Sequence, residues 1–348
     1  MATRAARASA GRARRAREPA VSAPPAILIG ARIADEFRDR LATRLDAIGP
    51  YDVAFPAAVK RLSRSDAERV QVALVYGGMD VSAAAIAGLP SLRLILSIGS
   101  GYDGIDLDAA RARGASVTHS PGANAASVAD MAMGLLIASV RRIAERDAYV
   151  RRGDWNGLES RRDVQVRGLT GRRAGIYGLG AIGAKIASRC EAFEMEVAYH
   201  GRAPRPGVRH RFHATLLALA DWADVLMIAV RAGPETHHAV DAQVLAALGR
   251  DGHVVNITRG SVVDETALVA ALANGTIAGA GLDVFEREPQ VPAALRALPN
   301  VVMTPHIGGN TDEAQRAMHD AVVANLDAFL AGRPLPSPVP GMPAEVAA

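Results

Sequence analysis

Between residues 174 and 190 an apolar run, "AGIY", passes directly into "GLGAIG" and then into "AKIASRC". This junction limits the possible folds more than any other stretch. Gly178, Gly180 and Gly183 have the spacing G-x-G-x-x-G, placed after a strand pattern and before an amphipathic helix pattern. The pattern alone is weak in a chain with 33 glycines, and its flanks make it specific. The first glycine permits a tight turn, the second lets the backbone approach a pyrophosphate, and the third lets helix and strand pack closely. Leu179, Ala181 and Ile182 complete the loop, and the helix N-terminus faces the anion.

The rest of the chain repeats the same alternation. Short apolar runs stand at residues 26–30, 72–76, 92–97 and 115–119, with helical patterns between them. A second series of strand patterns covers residues 174–178, 195–200, 224–230, 253–257, 277–284 and 301–304. Such alternation specifies βα units and parallel sheets. The expected fold class is therefore α/β, with two Rossmann-like, doubly wound parallel-sheet domains and a cleft between them. We expect a tail over residues 1–25, a substrate-binding domain over 26–122 completed by 311–340, and a dinucleotide-binding domain over 123–310. A single long helix is expected over about residues 125–151. A last helix over about 311–331 stops at Gly332, with Pro334 beyond.

The second strand of the nucleotide-binding series selects the dinucleotide. An acid at its end would bond a ribose 2′-hydroxyl. Here the strand ends "YHGRAPRP", with His200, Gly201, Arg202 and Arg205. Glu194 and Glu196 lie too early to reach the ribose. Basic side chains at this place suit a 2′-phosphate, so the expected cofactor is NADPH, with NADP preferred over NAD.

Charge excludes other classes of partner. The chain carries a formal net charge of +4. Residues 1–18 hold six arginines and one glutamate, which leaves the remainder close to neutral. The body thus has no basic excess to hold nucleic acid. No apolar run reaches the roughly 18 residues of a membrane span. The Arg/Ala-rich tail lacks the apolar region of a secretory signal. It is expected to be a disordered extension, although its composition overlaps that of a mitochondrial transit peptide. The one cysteine, Cys190, allows neither an intrachain disulfide nor a cysteine metal cluster, and no metal is called for. A cytoplasmic location is expected.

Four motifs now stand in order: "GLGAIG", "VVNITRGSVVDETAL" (254–268), "GAGLDVFEREP" (279–289) and "TPHIGG" (304–309). From about residue 27 to 340 the chain resembles the D-2-hydroxyacid dehydrogenase family, most of all its glyoxylate/hydroxypyruvate and hydroxyphenylpyruvate reductase branch. The resemblance implies an NADPH-dependent reductase of a small 2-oxo acid such as glyoxylate or hydroxypyruvate, giving the D-2-hydroxy acid. Motif by motif it implies that Arg259, Glu288 and His306 form the catalytic set. The chemistry needs those types. A planar, permanently charged fork holds a carboxylate beside a ketone. An imidazole exchanges a proton near neutral pH, and a carboxylate beside it favours the charged form. By the same matching Asp283 contacts the nicotinamide carboxamide and Ile257 lines its pocket. Ser100 and Gly101 in "SIGSGYDGID" (97–106) offer backbone amides to the substrate carboxylate, and Tyr76 lines the substrate side. Glu286 is expected to be solvated or paired with Arg287.

A nearer alternative is an NAD-linked relative acting on D-lactate or phosphoglycerate, and an alternative of another class is a non-catalytic, nucleotide-sensing corepressor-like protein. The missing ribose acid opposes the first, as do the few residues beyond "GRPLPSPVP", which are too few for an added regulatory domain. The apolar surface around "VRRGDW" (150–155) leads to an expected homodimer, with Trp155 at the contact. Two departures from the family pattern remain. Arg231 in "VRAGPET" is an unassigned charge near the cofactor cleft, and "SPGANAASVAD" (120–130) leaves the hinge geometry open.

Overall fold

The computed structural model describes residues 25–155 and 165–345, so the Arg-rich tail expected over residues 1–25 lies almost wholly outside the described residues. The described strands are β1 (Ala26–Ile29), β2 (Asp46–Ile48), β3 (Val70–Tyr76), β4 (Leu94–Ile98), β5 (Ser116–Thr118), β6 (Arg173–Tyr177), β7 (Glu196–His200), β8 (Arg211–Phe212), β9 (Val225–Ile228), β10 (His253–Asn256), β11 (Gly279–Leu282) and β12 (Val301–Met303). They form two sheets, ordered β2-β1-β3-β4-β5 and β12-β11-β10-β9-β6-β7-β8. Every strand pairing within them is parallel.

Parallel strands need crossovers, and the crossovers cover both faces of each sheet. The burial pattern follows from this. In β1, Ala26 and Leu28 enter one core while Ile27 and Ile29 enter another. In β9, Leu226 and Ile228 face one way and Val225 and Met227 the other. Four apolar cores result, two for each sheet, and the period-2 side-chain alternation of a strand feeds both faces. The helix Asp312–Leu330, though last in sequence, packs Met318, Val322 and Leu326 with Leu94, Leu96 and Ile98 of the first sheet. Thr311 caps its N-terminus by accepting from the Ala314 amide at 3.3 Å. Among the described residues, no helix is long and apolar enough to cross a membrane.

Two local differences from the sequence reading have simple causes. The edge strands β2 and β8 were not foreseen; they are three and two residues long, too short to show a period. The long helix over 125–151 is two helices, Ala125–Val140 and Ile143–Arg151. Arg142 breaks them, with its backbone in the left-handed region at φ 54°. The first helix buries Val128, Ala132, Leu135 and Leu136 among others, while the second buries none of its residues. Once the apolar stripe ends, nothing holds the chain to one axis.

In each sheet the strand order reverses once, between β1 and β3 and between β6 and β9. Ligands of open α/β sheets bind outside the carboxyl ends of the strands at such points. The residues singled out from sequence cluster at those ends: Tyr76 on β3, Ser100 and Gly101 after β4, Gly178 after β6, His200 on β7, and Arg259, Asp283 and His306 after β10, β11 and β12.

Candidate active site

The glycine loop has the shape of an anion cradle. Gly178 sits at φ +96°, and a Cβ there would lie 2.5 Å from the Val230 Cα, so a side chain is excluded twice over. Nothing lies within 4 Å of the place a Cβ of Gly180 would occupy. The helix Ala181–Ala192 starts there with no side-chain cap, leaving its first amides for a ligand. Leu179 and Ile257 are buried on the core side. These residues fit a dinucleotide pyrophosphate.

At the end of β7 the basic residues divide their work. His200 sets Nδ1 against the His213 carbonyl at 2.9 Å and stacks on Tyr177. Arg205 is turned back onto the glycine loop, where its guanidinium donates to the Leu179 carbonyl, and its amide donates to the Tyr199 hydroxyl at 2.8 Å. Arg202, beside Gly201, is exposed and makes no ion pair among the described residues. Neither arginine is ion-paired among the described residues, and Arg202 is the one whose guanidinium also makes no hydrogen bond there.

The loop after β10 aims Arg259. Asn256 accepts from the Thr258 amide and hydroxyl, and its Nδ2 donates to the Arg259 carbonyl at 2.9 Å. The Asx-type turn fixes the backbone from which the guanidinium leaves. Arg259 Nη1 donates to the Thr258 carbonyl at 2.8 Å. Its other face makes a bidentate pair with Asp103, Nε to Oδ2 at 3.0 Å and Nη2 to Oδ1 at 2.9 Å. Gly101 lies directly against this fork, since a Cβ there would be 2.2 Å from Nη2. The loop after β4 therefore meets Arg259 through a glycine and an acid. Ser100 is tied by its hydroxyl to Asn124 Oδ1 at 2.9 Å. Tyr76, 37% exposed, donates its hydroxyl to the Arg32 carbonyl at 3.2 Å.

His306 and Glu288 meet at 2.8 Å, Nδ1 to Oε2. Glu288 Oε1 accepts from the Phe285 amide at 3.1 Å. Burial alone pushes the Glu288 carboxyl up. The hydrogen bond and charge of His306, the Phe285 amide and the Arg259 charge outweigh it and hold the group below its ordinary value. Arg259 is thus near enough to be felt at the Glu288–His306 pair. Because Nδ1 donates to a carboxylate, Nε2 is the nitrogen left to exchange a proton on a ring 44% exposed.

Asp283 is 1% exposed and builds the His306 loop. Its carboxylate accepts from Thr304 Oγ1 at 2.6 Å, from the Ile307 amide at 2.9 Å and from the Gly308 amide at 2.7 Å. Its carbonyl accepts from the His306 amide at 2.8 Å. His306 itself has a left-handed backbone, φ 53°, unusual for a residue with a side chain. The Asp283 bonds hold it there.

One expectation is corrected. Glu286 is neither solvated nor paired with Arg287. Its Oε1 meets His238 Nε2 at 3.1 Å, and its side chain is 28% exposed. The loop gives its two glutamates different histidine partners, and for Glu286 that partner lies 48 positions away in sequence. Sequence reasoning also missed Asp103, Asn124 and Thr304. Asp103 carried a usable signal, an acid inside a glycine-rich loop.

Residues 133–308 match the family model described as D-isomer specific 2-hydroxyacid dehydrogenase, NAD binding domain. The chain is 41% identical over 273 residues to hydroxyphenylpyruvate reductase of Plectranthus scutellarioides, covering 78% of this chain and 86% of that protein. It is 43% identical over 263 residues to 2-ketogluconate reductase of Gluconobacter oxydans, covering 76% and 84%. Among solved structures, the NADPH-dependent glyoxylate/hydroxypyruvate reductase of Sinorhizobium meliloti in complex with NADP and malonate is similar at a TM-score of 0.85 and 38% identity. The match covers 93% of this chain and 99% of that one.

Proposed function

The chain belongs to the D-isomer specific 2-hydroxyacid dehydrogenases, an oxidoreductase family, and from that premise we propose that it reduces a small 2-oxo acid, glyoxylate or hydroxypyruvate, with NADPH. The product is the D-2-hydroxy acid. The observation that carries this reading is the Glu288–His306 pair at 2.8 Å, within the field of Arg259, at the strand ends that also bear the glycine loop.

When bound, NADPH supplies the hydride for the ketone carbon. Gly178–Gly183 and the helix start at Ala181 hold the pyrophosphate, and Arg202 holds the 2′-phosphate, with Arg205 bracing the loop. Ile257 would line the nicotinamide pocket, and Asp283, its carboxylate spent on the His306 loop instead of the carboxamide contact the resemblance implies, would act there by placing that loop. Arg259 holds the substrate carboxylate and the ketone oxygen, sharing its fork with Asp103 or releasing it. The amides of Ser100 and Gly101 face the same carboxylate, and Tyr76 stands at the substrate side. As charge develops on the ketone oxygen, His306 donates the Nε2 proton, and Glu288 stabilises the imidazolium before that transfer. Arg259, Glu288 and His306 are the catalytic residues in this reading.

The deciding measurement is kcat/KM for NADPH and NADH with glyoxylate, hydroxypyruvate, pyruvate and hydroxyphenylpyruvate. Wild-type protein should favour NADPH. Arg202→Asp should weaken NADPH binding by about 10- to 150-fold, the range for one charge-assisted contact, with little change for NADH. A wild-type preference for NADH would overturn the cofactor assignment.

A homodimer and a cytoplasmic location complete the reading. Ile143, Val150 and Trp155 are 48%, 53% and 56% exposed on one stretch of chain, an apolar surface suited to a symmetric partner. Sedimentation equilibrium tests this, and a 36.3 kDa monomer at micromolar concentration would count against it.

A further inference from the structure

Two arginines cross from the second sheet's loops to the loop after β4. Arg259 meets Asp103, and Arg231, in the loop after β9, lies over the ring of the adjacent Tyr102 with its guanidinium carbon 4.4 Å from the centroid. Their electrostatic situations differ. Arg259 is matched by a carboxylate. Arg231 has no acidic partner among the described residues, and only the face of an aromatic ring holds it. A cation–π contact at an exposed site is weak and leaves the edge N–H donors of the guanidinium unmatched.

Tyr102 in turn sets its ring edge-to-face on His119 at 5.3 Å, and His119 Nδ1 faces the Ser100 carbonyl at 3.1 Å. Burial holds the His119 imidazole below its ordinary value. The Arg231 charge pushes it the same way, against the pull of the Ser100 carbonyl. The uncompensated cation thus stands beside the segment Ser100–Asp103, the one proposed to receive the substrate carboxylate.

We propose that Arg231 sets substrate specificity by receiving a second carboxylate at the far end of a 2-oxo acid. The inference rests on the reductase reading above and deepens it, since it names dicarboxylic 2-oxo acids as a favoured class. A carboxylate paired with the planar fork makes charge-assisted hydrogen bonds that the tyrosine ring cannot make. The Tyr102 ring then serves as the resting place of the guanidinium and limits the positions it can reach.

The test compares 2-oxoglutarate with 2-oxopentanoate, which share chain length and differ in a terminal carboxylate against a methyl group. Wild-type kcat/KM with saturating NADPH should favour 2-oxoglutarate. Arg231→Met, which keeps length and apolar contact, should lower the ratio of the two kcat/KM values by about 10- to 150-fold. Arg231→Lys should retain part of the ratio. Because both acids are measured on one variant, loss of folded protein cancels. Equal loss for both acids would make Arg231 a clamp between the loops and overturn the proposal. So would a wild-type enzyme without preference for the diacid, or a change confined to the KM for NADPH. Failure of the wild-type protein to turn over glyoxylate as well would instead sink the reductase reading beneath it.

Discussion

Glu286 and Glu288 stand two residues apart on one loop, and each holds a histidine. Glu288 meets His306 at 2.8 Å and Glu286 meets His238 at 3.1 Å. The exposures are alike, with imidazoles 44% and 35% exposed and carboxylates 35% and 28%. The surroundings are not. Glu288 is held below the ordinary carboxylate range, against burial, first by His306 and then by the Phe285 amide and the Arg259 charge. Glu286 lies beside Glu265, whose carboxyl is pushed up first by burial and further by the Glu286 charge. One pair stands within the field of the Arg259 fork, against which Gly101 lies. The other fastens the turn after Thr236 to the loop after β11, with the His238 amide also donating to the Ser261 carbonyl at 2.8 Å. A histidine–carboxylate pair thus takes its character from what surrounds it, and the contact distance does not tell the two apart.

The strongest way to break this comparison is to remove each imidazole. His306→Ala should lower kcat by about 10²–10⁴, the usual loss for a missing general acid. His238→Ala should leave kcat within a few-fold. Steady-state kinetics at one pH checks both. If the two variants lose comparable activity, the distinction between the pairs fails.

Removing the charges one at a time sharpens it. Glu288→Gln keeps a hydrogen bond to His306 but removes the negative charge that favours imidazolium. The alkaline limb of kcat/KM for ketone reduction should move to lower pH. The sign on the acid side is fixed by Glu288 itself. Its carboxyl lies below the ordinary 4.5 in the fold, so its interactions are present above that value and are lost only as pH falls through the depressed one. The same substitution at Glu286 should leave the limb in place. It should cost at most about 1 kcal/mol of unfolding free energy, one ordinary hydrogen bond's worth, read from urea midpoints. A larger shift of the limb with Glu286→Gln than with Glu288→Gln would reverse the assignment of the two glutamates.

Much of the architecture was legible in the chain. Ten of the strands were expected near where they lie, because a buried parallel strand needs an apolar run and the helices between need a 3.6-residue stripe. The edge strands β2 and β8 and the break at Arg142 were not, since an edge carries little apolar signal and a single left-handed residue leaves none. The candidate site was legible in part. Its residue types and spacing led to Arg259, Glu288 and His306, and the structure brings these together at one set of strand ends.

The sequence by itself determined the βα alternation, the glycine loop and the chemical types available at each strand end, because periodicity and turn chemistry are local properties of a chain. Tertiary structure alone decided the partners. Arg259 pairs with Asp103 across 156 residues, and Glu286 finds His238. Asp283, 1% exposed, spends its carboxylate on the backbone that holds His306 in place. Arg231 comes to rest on Tyr102. The Arg259 and Arg231 contacts exist only because loops of the second sheet meet the loop after β4, and the Glu286 and Asp283 contacts only because separate strand ends of one sheet lie side by side. No local pattern carries that distance, since the side chains that meet there belong to separate βα units.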